Sequence, residues 1–103
     1  LLVEGVPHSL GAAASVAIAR TLQEALTNAR KHAPGMPVFV TVHWTDASAS
    51  LEVSNALTGR ALDAPGGGHG IEGMRERFAA LPGSVLSARA TDDRFVVMAT
   101  VAA

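Results

Sequence analysis

The 103-residue sequence has no cysteine and no tyrosine, and it carries one tryptophan and three phenylalanines. Without thiols there is no disulfide framework, no thiolate metal site and no cysteine nucleophile, which fits a reducing, cytoplasmic setting. With so few aromatics, a chain that is 49% apolar must build its core from Val, Leu, Ala and Met. An excess of charge of one sign is also missing. Eight Lys and Arg stand against nine Asp and Glu, a net charge of -1, and no dense basic run marks a nucleic-acid footprint. The longest apolar run, Leu10 to Ala19, is interrupted by Gly11 and Ser15 and stopped by Arg20. It falls well short of the roughly 20 residues that span a bilayer, so no membrane contact is expected of this piece. There is no initial Met and no basic leader before an apolar segment. The chain therefore reads as one domain, 1–103, excised from a longer protein that could carry a membrane anchor elsewhere.

The patterns that are present predict a β, α, β, β, loop, α, β, β order. Leu1 to Val3 is a possible first strand before the turn residues Gly5 and Pro7. Ile18, Leu22, Ala25, Leu26, Ala29 and Ala33 recur at spacings of three and four, giving a long helix from about Leu10 to Ala33 with Ser9 as its cap. Pro34 and Gly35 end it, and Arg30, Lys31 and His32 suit the negative end of its dipole. Val38, Val40, Val42 and Trp44 alternate with Phe39, Thr41 and His43, a polar turn follows over Thr45 to Ala49, and Leu51, Val53 and Asn55 share one face of the next strand. Ala56 to Gly68 has no period and reads as a long mobile loop. Ile71, Met74, Phe78 and Leu81 predict a second helix from about Gly70, and two strands near Val85 to Ala90 and Phe95 to Val101 close the chain. The expected fold is an α/β (α+β) two-layer sandwich, with a mixed, mainly antiparallel sheet and both helices on one face.

Three features carry possible chemistry. Glu24 and Asn28 stand one helical turn apart, so a carboxylate and an amide oxygen can share a hard cation such as Mg²⁺, which accepts one or two protein oxygens beside phosphates and waters. The same spacing also describes a solvated helix face. Gly66-Gly67-Gly68-His69-Gly70 runs directly into a helix, where freed backbone amides make an anion site, although glycine triplets are also common in linkers. Neither a P-loop nor a Rossmann signature is present. Asn55 shares the parity of Leu51 and Val53, so it points inward at a strand end, where its amide could read a purine edge or simply close a turn. Gly73 inside the second helix costs about 1 kcal/mol relative to Ala, which a packing contact or a ligand would explain. The four His residues show no metal-ligand spacing with one another, and His43 reads as a strand surface residue.

Taken together, Gln23-Glu24-Ala25-Leu26-Thr27-Asn28-Ala29-Arg30-Lys31-His32-Ala33 resembles the N box of bacterial sensor histidine kinases, and Gly66 through Arg77, GGGHGIEGMRER, resembles their second glycine box. The GHGIEGMRER form is especially similar to kinases of the nitrate-sensor type, which work with helix-turn-helix response regulators. The resemblance implies the GHKL or Bergerat ATP-binding fold, with a mobile lid over Ala56 to Pro65. It implies that Asn28 ligates Mg²⁺ with Glu24 beside it as a water-orienting carboxylate. Lys31, His32, Asn55, Gly66, Gly68, His69, Gly70, Ile71, Gly73 and Met74 would then contact ATP. The phosphate acceptor would be a His on a separate dimerisation domain, so this piece alone would not autophosphorylate. Two positions depart from the family. Asn55 stands where an aspartate usually pairs with the adenine amino group, and Arg94-Phe95 replaces a Gly-Thr pair that supports the adenine pocket. Two other readings follow from these departures: a degenerate docking module without transfer, or a GHKL ATPase or serine kinase of another branch.

Overall fold

The computed structural model describes residues 1–56, 68–91 and 93–102. In chain order the elements are β1 (Leu2–Glu4), α1 (Ala12–His32), β2 (Val38–Thr45), β3 (Ser48–Ala56), α2 (Gly68–Ala79), β4 (Val85–Ala90) and β5 (Arg94–Ala102). They form a five-stranded sheet of order β1-β2-β3-β5-β4. β1 runs parallel to β2 and every other pairing is antiparallel, which is the mixed, mainly antiparallel sheet expected.

The period-2 pattern of β3 explains its central place. Ala49, Leu51, Val53 and Asn55 are all buried on one face, and the strand pairs along its whole length with β5, from Ser48 opposite Ala102 to Ala56 opposite Arg94. The turn before it is tighter than the expected Thr45 to Ala49, because Thr45 and Ser48 pair directly and leave only Asp46 and Ala47 between them. Ala14 and Ala17 of α1 and Phe78 of α2 pack with Ala49, Ala99 and Val101 of the sheet. Ala25 of α1 packs with Leu51, Val53 and Val97. Both helices therefore cover the same sheet face, giving two layers. The buried stripe of α1 is mostly alanine, which lets the helix backbone lie close to the β-branched residues below it.

The ends of α1 differ in part from expectation. Gly11 is the N-cap and no side chain caps the helix, so Ser9 does not have the capping role its position suggested. Its carbonyl instead lies 3.1 Å from Nδ1 of His8. At the other end Ala33 N–H donates to Ala29 O at 2.9 Å, and Gly35 at φ +78° turns the chain toward β2. Gly5 needs its freedom most, since it sits at φ +83° and a Cβ there would overlap the carbonyl oxygen of Trp44.

Candidate functional site

Asn28 lies on the inward side of α1 and is only 5% exposed. Thr21, two turns earlier on the same stripe, is also buried; its hydroxyl donates to Ala17 O at 2.8 Å and reaches the Met74 sulfur at 3.7 Å. That contact fastens α1 to α2. Glu24 is half-buried between Thr21 and Asn28, and Lys31 one turn beyond Asn28 is exposed. The Nδ2 of Asn28 is buried without a hydrogen-bond partner among the described residues. A buried amide left unpaired costs about 1–3 kcal/mol, so the position asks for an acceptor that a bound group could supply.

Asn55 ends β3 on the same face as Val53 and is 3% exposed, as its parity predicts. Its Nδ2 donates to Ala56 O at 3.1 Å, which uses one of its two N–H groups. Its register neighbours are Val38 on β2 and Phe95 on β5. Val38 lines a depression of about 200 Å³ with Leu26, Ala29 and Ala33, so this end of the sheet lies beneath the last turns of α1, the end that bears Asn28.

The Arg94-Phe95 pair is split by strand alternation. Phe95 stands beside Asn55 and packs on the Val53 and Val97 side. Arg94 faces the opposite way, with Nη2 donating to Ser54 Oγ at 3.5 Å and its guanidinium 5.6 Å from the Phe39 ring centre. Of the two departures in sequence, only Phe95 adjoins Asn55. Reading the dipeptide as one pocket feature missed this, although the period-2 rule could have separated the two.

Gly68 and His69 do not precede the second helix, expected from about Gly70; with Gly70 they form its first turn. The amides of a first turn lack partners within the helix, so donors remain available there. Gly66, and most of the expected lid at 57–65, lie outside the described residues, as do the side chains of His32, His69 and Ile71. Met74 is buried against Thr21. Gly73 is exposed, and a Cβ built on it meets nothing within 4 Å, so close packing among the described residues does not account for it. It opens instead onto a groove of about 350 Å³ that also exposes Glu24. Among the described residues, no group of three or more His, Asp or Glu could hold a metal ion. A cation at Asn28 would therefore draw its other ligands from phosphate and water.

No family model matches the sequence, and no curated protein matches it. Among solved structures, the histidine kinase domain of the blue-light activated histidine kinase from Erythrobacter litoralis EL346 superposes with a TM-score of 0.66 at 16% identity. The match covers 96% of this chain and 52% of that one, so the chain spans about half of that structure. The likeness is one of fold. Among the described residues, no helix is long and apolar enough to cross a membrane.

Proposed function

We propose that this chain is the ATP-binding domain of a two-component sensor histidine kinase of the nitrate-sensor type, a GHKL module with the Bergerat fold. It would work in the cytoplasm as part of a longer protein, beside a dimerisation domain that carries the acceptor His and upstream of a helix-turn-helix response regulator. The observation that carries the reading is the unpartnered amide of Asn28, buried on α1 at the end where Asn55 also lies. The two boxes in sequence and the fold likeness to a histidine kinase domain support it.

In this reading Asn28 uses both ends of its amide. Oδ1 would hold Mg²⁺, while Nδ2 would donate to a phosphate oxygen and gain the acceptor it lacks. Glu24, one turn away, would orient a water, and Lys31 and His32 would neutralise phosphate charge near the end of α1. The first-turn amides of Gly68, His69 and Gly70 would cradle the phosphates, and the resemblance adds Gly66, Ile71, Gly73 and Met74 to the ATP contacts. Asn55 Oδ1 would accept from the adenine amino group. Bound Mg²⁺ would supply charge neutralisation at the phosphates. An imidazole nitrogen of the acceptor domain attacks the γ-phosphorus, the bond to the β,γ-bridging oxygen breaks, and ADP leaves. The chain's own contribution is to position and dehydrate the reacting groups.

Incubating the longer protein with γ-labelled ATP tests this. The expected product is an acid-labile, alkali-stable phosphate on a His. An acid-stable label on Ser, or no label in a protein that binds Mg-ATP, would falsify it in favour of another branch or a docking module.

A further inference from the structure

Val38, Asn55, Phe95 and Ala90 stand opposite one another in register across the end of the sheet, from β2 through β3 and β5 to β4. Asn55 is the one polar side chain on this rung, and the next rung inward, Val40, Val53, Val97 and Ala88, is wholly apolar. A group that meets this end of the sheet on the helix face is therefore read by a single amide. Asn55 is 3% exposed, so a polar atom that faces it without a match costs more than it would in water. A primary amide carries two N–H groups and one carbonyl oxygen. One N–H of Asn55 is held by Ala56 O at 3.1 Å, and the second N–H and Oδ1 make no hydrogen bond among the described residues. The side chain thus offers a donor and an acceptor together, whereas an ionised carboxylate only accepts. Purines differ at C6 in the same sense. Adenine carries an amino group that donates there, and guanine and hypoxanthine carry an oxygen that accepts. Exchanging the two ends of the amide to suit an oxygen breaks the bond to Ala56 O, a loss on the scale of one neutral hydrogen bond, about fivefold in affinity.

We propose that Asn55 makes the base site tolerant at C6, so that the chain takes 6-oxopurine nucleoside triphosphates as well as ATP, with ATP ahead by about fivefold. The placement of a purine at Asn55 rests on the nucleotide reading, whereas the tolerance rests on the amide and its apolar rung. Val38 and Phe95, both half-buried, offer a ring apolar contact and no hydrogen bond, so neither separates the two kinds of purine.

Inosine triphosphate is the probe, because it carries the 6-oxo group without the 2-amino group of guanine. Calorimetry compares the chain with Mg-ATP, Mg-ITP and Mg-CTP at one pH and one salt concentration. ATP and ITP should bind within about tenfold of each other, and CTP more weakly than either. In Asn55→Asp the oxo group faces only lone pairs, so the gap between ATP and ITP should widen to about a hundredfold. A wild-type preference for ATP beyond about tenfold would overturn the proposal, and that comparison needs no variant. A gap left unchanged by Asn55→Asp, in a variant whose amide spectrum shows it folded, would overturn it too. So would CTP binding as tight as that of ATP, because no base is then read. ATP binding with ITP binding lost removes the tolerance and keeps the nucleotide reading. Failure of both to bind removes the nucleotide reading and the proposal with it.

Discussion

Buried polar side chains at the end of α1 and of β3 are each held differently, and the differences assign their roles. Thr21 is satisfied by a backbone carbonyl one turn back, so it is a packing residue. Asn55 spends one of its two N–H groups on a backbone carbonyl, whereas the Nδ2 of Asn28 has no partner among the described residues. His8 is a case where charge is held at the surface. Its pKa is raised, first by the hydrogen bond to the Ser9 carbonyl and then by that to Thr45 O at 2.6 Å, with Asp46 adding to the effect. Both ring nitrogens face acceptors, so the doubly protonated ring is favoured, edge-on to Trp44 at 5.1 Å. A raised folded-state pKa contributes stability that is fully present below the unfolded value of about 6.5 and is lost as pH rises through the folded value. An NMR titration should place the His8 midpoint above about 6.5. In His8→Ala the stability difference from wild type should shrink as pH rises through that midpoint, and a midpoint at or below 6.5 would contradict the geometry. The sequence revealed that Asn55 points inward, because that follows from strand parity, whereas the Glu24 and Asn28 spacing also fitted a solvated helix face. It could not reveal which amide end is spent, since that depends on atoms brought together by tertiary packing.

Single elements divide into those set by period and those set by contacts from elsewhere. β3 was legible because Leu51 and Val53 alternate with Ser50, Glu52 and Ser54, and β2 and β5 because Val38, Val40 and Val42, and Phe95, Val97, Ala99 and Val101, recur at every second position. β1 is three residues with no pattern of its own, and its parallel register, Leu2 opposite Thr41, comes from where β2 already lies. The α2 start was misjudged by two residues because Gly68 and Gly70 are weak helix formers whose helical state is set by context rather than propensity. β3 is the element on which the sheet and the site both depend, with β2 on one side, β5 on the other and Asn55 at its end. Leu51 is 1% exposed at its centre, and Leu51→Ala should cost about 2–5 kcal/mol in urea unfolding. A loss well under 1 kcal/mol would mean that the two helices do not pack on this strand as described. Gly5→Ala probes the junction of β1 with β2. The positive φ and the overlap with the Trp44 carbonyl predict a loss of at least about 1 kcal/mol by the same assay.

For the molecule as a whole, the two-layer sandwich puts α1 and α2 side by side on one sheet face, with Thr21 and Met74 joining them. This is the fold shared with a solved histidine kinase domain, while at 16% identity the function must be argued from the residues. The most direct test of the central claim is calorimetry of the chain with Mg-ATP, comparing wild type with Asn28→Ala. Losing both a metal ligand and a phosphate donor should weaken binding by about 2–3 kcal/mol, roughly 30- to 150-fold. The variant should fold at least as stably as wild type, because the unpaired buried amide is gone. Asn28→Ala binding Mg-ATP as tightly as wild type, or a folded wild-type chain that does not bind it at all, would contradict the account.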